Sequence, residues 1–95
     1  MRFGWDSSKS AANLRERGFD FAFASLIFDG ATLEVEYRRA DYAERRMVAI
    51  GLADGLHLTV VYTDRANAQG EPVRRIISAR RSNRRERKIY QETIG

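Results

Sequence analysis

The chain has no cysteine, one histidine and one proline among its 95 residues. The absence of cysteine excludes disulfides and thiolate chemistry, and a single histidine (His57) argues against a zinc site. The longest apolar run, Phe21 to Phe28, is far shorter than the roughly 20 residues that a transmembrane helix needs. We therefore expect a small soluble protein of the cytoplasm that needs no metal or cofactor and has no membrane partner.

Hydrophobic residues make up 43% of the chain and charged residues 32%. This apolar content is enough for a core, so a fully disordered chain is not expected. At this length we predict a single domain over residues 1–95.

Positive charge is concentrated near the end of the chain. The formal net charge is +4, and eight of the 17 basic residues lie between Val73 and Glu92, where the only acidic residues are Glu86 and Glu92. A cluster of this kind indicates a polyanion as ligand.

Capping and periodicity signals predict the elements of the first half. They are a strand at 2–5, a helix at 7–17, a second helix at 21–28 and a strand of period two from Thr32 to Tyr37. Asp6 and Asp20 are the expected N-caps, and Gly18 the expected C-terminal stop of the first helix. Ala11, Ala12 and Leu14 are expected to form the inner face of the first helix.

The second half predicts a hairpin followed by a strand and a helix. Residues 38–44 are expected to form a polar connection, 45–53 and 56–63 to pair around Asp54-Gly55, 64–72 to form a loop, and 73–81 to form the last strand. A two-residue turn sets Leu52 opposite His57 and Val48 opposite Val61. Asn83 and Glu86 predict a capping box that begins the last helix. The order β-α-α-β-β-β-β-α indicates an α+β two-layer fold with a mostly antiparallel sheet.

Arginines lie along the predicted last strand, with Arg74 and Arg80 expected on one face and Arg75 and Arg81 on the other. Several guanidiniums together require carboxylates or phosphates as partners. Internal ion pairs are one alternative, and Arg45 opposite Asp64 is the clearest candidate. In the last helix, Arg84, Arg87 and Lys88 share a face, which is either simply solvated or binds an anion.

No Ser-His-Asp set, metal-ligand spacing or glycine-rich phosphate loop can be assembled, and His57 fits a surface or packing role. RNA cleavage is nevertheless feasible without these groups, because the 2′-hydroxyl is an internal nucleophile. The protein then needs mainly to align it and to neutralise the charge that grows on the phosphate.

Motifs along the whole chain resemble those of the BrnT toxins. They are Trp5-Asp6-x-x-Lys9 with Asn13 and Gly18, Phe28-Asp29, Glu44-Arg45, Ile50-Gly51, Val61-Tyr62-Thr63-x-Arg65, Arg75-Ile-Ile-Ser-Ala-Arg80, Arg85-Glu86-Arg87 and Tyr90. The resemblance implies a RelE-like fold and an endoribonuclease that inhibits translation as the toxin of a type II toxin–antitoxin pair. The lack of metal and thiol ligands in the sequence predicts that this endoribonuclease is metal-independent. It also implies a BrnA-like ribbon-helix-helix antitoxin as partner, with DNA bound only through that antitoxin.

The resemblance and the clustered arginines together predict the site. We expect Arg65, Arg75 and Arg80 to contact the phosphate and its transition state, Lys9 to activate or orient the nucleophile, and Tyr62 to be a lesser candidate for proton transfer. The residues expected to bind RNA or the antitoxin are Arg17, Arg45, Arg84, Arg87 and Lys88.

The sequence departs from the family pattern at Glu16-Arg17-Gly18, where the family usually reads Lys-His-Gly. Arginine can stabilise a phosphate but is a poor general acid or base, since it scarcely titrates. The alternative function is therefore a catalytically silent relative that binds an antitoxin or nucleic acid without turnover.

Overall fold

The computed structural model describes residues 1–37 and 44–95. Its elements are β1 (Arg2–Gly4), α1 (Ser7–Arg17), α2 (Phe21–Ala24), a 3₁₀ segment (Ser25–Asp29), β2 (Leu33–Tyr37), β3 (Arg46–Ala53), β4 (Leu56–Ala66), β5 (Pro72–Arg81) and α3 (Arg84–Thr93). The predicted element order roughly fits. The predicted connection at 38–44 lies outside the described residues except for Glu44. No helix in the described ranges has the length and apolar character needed to cross a membrane.

The five strands form one sheet in the order β1-β5-β4-β3-β2. Strand β1 runs parallel to β5, with Arg2 opposite Val73, whereas the other pairings are antiparallel. The sheet is therefore mixed, and the prediction of a mostly antiparallel sheet is wrong. Three residues carry too little pattern to set a strand's direction, because a strand this short takes its place from the tertiary contacts around it.

The hairpin has the predicted register, including Leu52 opposite His57, Val48 opposite Val61 and Met47 opposite Tyr62. Asp54 and Gly55 both have positive φ, 48° and 82°. Two such residues form the turn whose twist matches that of the flanking strands, which is why this dipeptide fixes the register.

Helices cover both faces of the sheet. One face, here called the core face, carries Ala49, Val60 and Tyr62 and packs against α2 and the 3₁₀ segment. Helix α3 lies on the opposite face, where Tyr90 contacts His57 and Glu86 accepts a hydrogen bond from Thr59. The prediction of two layers is therefore wrong, because both faces of the central strands are apolar enough to need a cover.

Gly51 explains how closely the 3₁₀ segment approaches the sheet. A Cβ atom at Gly51 would lie 2.9 Å from the Cβ of Ile27 and 3.1 Å from a methyl group of Thr32. The predicted second helix, 21–28, is α-helical only as far as Ala24. The following turn tightens, and Ile27 is fully buried against the sheet at this glycine.

A β-bulge divides β5. Ser78 lies opposite Val61 and Ile76 opposite Tyr62, so Ile77 is an extra residue between them. The extra residue reverses which face the following side chains point to. Arg74 and Arg81 therefore share the core face, while Arg75 and Arg80 share the opposite face. The predicted grouping of these arginines assumed an unbroken strand and is wrong.

Candidate functional site at the edge of β5

Helix α1 lies beside β5, and polar side chains bind it to the backbone at the start of α2. Asp6 caps the helix by accepting a hydrogen bond from the backbone of Lys9 at 3.0 Å. Ser10 accepts from the backbone of Phe21 at 3.0 Å, and Asn13 donates to the carbonyl of Phe19 at 2.8 Å. The inner face of α1 is therefore not Ala11, Ala12 and Leu14, as predicted, because Leu14 is 51% exposed whereas Ser10 and Asn13 are buried. Bonding to backbone groups decides which side of α1 faces inward.

A cavity of about 200 Å³ opens where the beginning of α1 meets β5. We call it the cationic pocket, and it is lined by Asp6, Lys9, Glu44, Arg46, Arg65, Arg75, Ile76 and Ile77. Four cations and two carboxylates converge here from separate parts of the chain. The structure thus brings together three of the predicted catalytic residues, Lys9, Arg65 and Arg75.

The carboxylate of Glu44 neutralises part of this charge. It accepts from Nε and Nη2 of Arg65, each at 2.8 Å, and lies 4.0 Å from Arg46. Within residues 1–37 and 44–95, the charged groups of Lys9 and Arg75 make no hydrogen bond or ion pair. Arg75 is half-buried. Four cations outnumber the two carboxylates of the pocket, and this excess of positive charge favours an anionic ligand.

The pocket is suited to a phosphodiester. Guanidinium and ammonium groups can hold the phosphate oxygens and stabilise charge that develops on them. The carboxylate of Glu44 lies in the same pocket and can accept a proton from a nearby hydroxyl. In the described part of the chain no group of three or more histidine and acidic side chains is placed to hold a metal ion.

Tyr62 lies apart from this pocket. It is one residue from Thr63, the partner of Arg75, so its side chain points to the opposite face of the sheet. Its hydroxyl donates to Glu34, and the guanidinium of Arg74 lies 4.1 Å from its ring centre. Burial, and then the hydrogen bond to Glu34, raise the pKa of Tyr62 well above its ordinary value. The hydroxyl of Tyr62 is thus a weaker acid than the hydroxyl of an exposed tyrosine, and the side chain is buried in the core.

Arg80 is also separate, because its guanidinium is bound to α3. Nη1 and Nη2 donate to the two oxygens of Glu86 at 2.7 and 2.8 Å. Glu86 also accepts from the backbone of Asn83, which completes the predicted capping box. The hydrogen bond from Arg80 lowers the pKa of Glu86. Arg80 thereby joins the end of β5 to the first turn of α3.

The predicted binding residues have varied surroundings. Arg17 donates to the carbonyl of Ala79 at 2.7 Å, and Arg87 to the carbonyl of Ser82 at 2.8 Å. Arg84 and Lys88 are exposed on α3.

Arg45 lines a different cavity from the cationic pocket, together with Met47, Tyr62 and Asp64. The predicted pairing of Arg45 with Asp64 is wrong. Arg74 binds both oxygens of Asp64 at 2.8 and 2.9 Å, and Arg45 lies 3.4 Å from Glu36.

Sequence reasoning missed Arg46, Glu44 and Asp6 as members of the pocket. A signal for Arg46 was present, since the hairpin register sets Met47 opposite Tyr62 and therefore places the residue before Met47 on the other face. Arg75 lies on that face as well, opposite Thr63. The sequence did not give the register between β4 and β5, so it did not indicate that the two arginines meet.

The comparisons with known proteins bear on this pocket. A family model described as the ribonuclease toxin, BrnT, of type II toxin–antitoxin systems matches residues 5–86. The matched range includes every residue that lines the cationic pocket and ends within the first turn of α3. The comparison with curated proteins gives no match.

Proposed function

Because the chain belongs to the BrnT family of ribonuclease toxins of type II toxin–antitoxin systems, we propose that it is an endoribonuclease that inhibits translation by cutting RNA. The observation that carries this proposal is the cationic pocket. There the charged groups of Lys9 and Arg75 have no hydrogen-bond or ion-pair partner among residues 1–37 and 44–95, and they lie beside the carboxylate of Glu44. The whole chain, 1–95, acts as one toxin domain with a RelE-like fold.

The phosphate to be cleaved binds between Lys9 and Arg75. Arg75 presents two parallel donors, and its backbone is fixed in β5 opposite Thr63. Arg65 and Arg46 lie next to Glu44 in the same pocket and add positive charge. These groups stabilise the charge that grows on the phosphate during attack, which is the main requirement of RNA cleavage.

Glu44 is the proton acceptor in this proposal. It takes the proton of the 2′-hydroxyl while the 2′-oxygen forms a bond to phosphorus. The bond from phosphorus to the 5′-oxygen breaks, and the leaving oxygen takes a proton from water. The hydroxide that remains takes the proton from Glu44, which returns the carboxylate to its starting state. The products are a 2′,3′-cyclic phosphate and a 5′-hydroxyl. Lys9 orients the attacked phosphate, and no step requires a metal.

The other predicted residues receive supporting roles. Arg80 and Arg87 attach the N-terminal end of α3, through Glu86 and the carbonyl of Ser82. Arg17 attaches α1 to β5. Tyr62 belongs to the core face. The exposed Arg84 and Lys88 attract RNA or the antitoxin, and Arg45, which comes immediately before β3, contributes to the same attraction.

The partner in this proposal is a BrnA-like ribbon-helix-helix antitoxin in the cytoplasm, through which the complex binds DNA. Type II systems pair a protein toxin with a protein antitoxin. The basic surface of α3 is complementary in charge to an acidic segment of such a partner.

The test is cleavage of single-stranded RNA by the purified protein, with the ends of the products identified. We expect cyclic phosphate ends, and we expect Arg75→Gln to lower the single-turnover rate by roughly a hundredfold or more. The matched control is Arg15→Gln, which changes an exposed arginine of α1 outside the pocket. Intact RNA after incubation with folded wild-type protein would overturn the proposal.

A further inference from the structure

A second cavity adjoins the cationic pocket along the groove between α1 and β5. Its volume is about 200 Å³, and it shares Lys9 and Ile77 with the cationic pocket. We call it the side pocket. The two cavities are therefore neighbours, and a ligand chain held in the first has the second beside it.

The side pocket has an apolar floor and a polar rim. Phe21 is buried at its base, and Ala12 lies beside it. Lys9, Ala12 and Glu16 are three and four positions apart, which places them on one side of α1. The extra residue of the bulge, Ile77, forms the opposite wall. A flat, partly apolar group with polar edges fits these surroundings.

Glu16 is an exposed carboxylate at the rim of the side pocket. Its carboxylate makes no hydrogen bond or ion pair to any residue in the ranges 1–37 and 44–95. A carboxylate accepts hydrogen bonds and donates none, and its two oxygens suit a ligand that presents two neighbouring donors. Among the RNA bases, guanine has such a pair on its Watson–Crick edge, the N1–H and the 2-amino group. The other three bases present a single donor group on that edge.

We propose that the side pocket binds the base of the nucleotide next to the cleaved phosphate and that Glu16 selects guanine there. This inference rests on the proposed ribonuclease function. The Watson–Crick edge has to be free for Glu16 to reach it, so the substrate is single-stranded at this nucleotide.

The experiment uses uridine oligonucleotides that carry one guanosine, inosine, adenosine or cytidine. Inosine differs from guanosine only by the loss of the 2-amino group and so removes one of the two donors. We expect the wild-type protein to cut next to guanosine at least about tenfold faster than next to inosine, since a hydrogen bond to a charged group is lost. Glu16→Gln should bring this ratio close to one, because the amide offers a single acceptor. Glu92→Gln, an exposed carboxylate of α3, is the matched control and should keep the wild-type ratio.

A binding measurement separates the two proposals. The same oligonucleotides with 2′-deoxy sugars lack the nucleophile, and their affinity reports the pocket alone. We expect tighter binding of the guanine oligonucleotide by the wild type and loss of that preference in Glu16→Gln. Cleavage without base preference, or an unchanged preference in Glu16→Gln, would overturn the guanine site. Guanine-selective binding with no cleavage of any RNA would support the guanine site and overturn the ribonuclease function.

Discussion

The carboxylate of Glu44 accepts two hydrogen bonds from the guanidinium of Arg65, one from Nε and one from Nη2, each at 2.8 Å. This pair joins the residues before β3 to the end of β4. The ion pair also holds the carboxylate of Glu44, which can accept a proton, in the same cavity as Lys9 and Arg75. The pair thus positions Glu44 and limits the charge that the pocket carries before RNA binds.

Glu44→Gln tests the role of the carboxylate. We expect the single-turnover cleavage rate to fall by roughly a hundredfold or more, because the amide cannot accept the proton. Binding of a 2′-deoxy oligonucleotide should stay the same or strengthen, since a negative charge near the phosphate is removed. Glu71→Gln is the control, as Glu71 is an acidic residue that pairs with Arg2 outside the pocket. An unchanged rate in Glu44→Gln would show that another group takes the proton.

Cleavage should be insensitive to chelators. The proposed reaction uses guanidinium, ammonium and carboxylate groups of the chain, and its nucleophile belongs to the RNA. We expect the same rate in buffer with EDTA as in buffer with added magnesium or zinc. Loss of activity in EDTA that is restored by one of these metals would count against the proposed chemistry.

RNA affinity should depend steeply on salt, and part of that dependence should come from α3. Each phosphate contact to single-stranded RNA contributes a slope of about 0.7 in log K against log salt. Replacing both Arg84 and Lys88 by alanine should flatten the slope, while Arg87 is kept because it binds the carbonyl of Ser82 at 2.8 Å. Arg15→Ala is the control. An unchanged slope would mean that this face of α3 is only solvated.

The hairpin was predictable because one local rule determines it. Asp54-Gly55 adopts the turn that a two-residue loop favours, and the register of every pair from Met47 to Ala53 follows from that turn. The capping box of Asn83 and Glu86 and the stop at Gly18 were predictable for the same reason. In each case the groups that determine the local structure are close together in the sequence.

The pocket was less predictable, since it depends on contacts between distant residues. Because of the bulge at Ile77, Arg75 and Arg80 lie on the same face of the sheet. No residue type in β5 predicts that a bulge occurs there. The inner face of α1 depends on backbone groups of Phe19 and Phe21 that lie beyond the helix. Individual site residues could be proposed from the sequence, but their grouping required the fold.

Arg80 was proposed as a site residue from the sequence, but in the fold it contacts α3. Its replacement should therefore affect stability. Arg80→Gln breaks the ion pair with Glu86 and should lower the free energy of unfolding by roughly 1 kcal/mol. For a chain of this size that corresponds to a fall of about 4–8 °C in Tm. Arg75→Gln removes a guanidinium that forms no ion pair with the described residues, and it should leave Tm near the wild-type value. Equal Tm values for the two variants would show that the contact of Arg80 with α3 does not contribute to the free energy of unfolding.

Acid should weaken the same contact. The hydrogen bond from Arg80 lowers the pKa of Glu86 below its ordinary value of 4.5. The folded state therefore favours the charged carboxylate, and this contribution to stability is fully present above the ordinary pKa and is lost as pH falls through the lowered one. Urea unfolding at several pH values between 7 and 3 should show a shallower acid loss in Glu86→Gln than in the wild type, from a lower starting stability at pH 7. Glu92→Gln, which changes an exposed carboxylate near the other end of α3, should keep the wild-type profile. A Glu86→Gln profile parallel to that of the wild type would mean that Glu86 titrates alike in the folded and unfolded states.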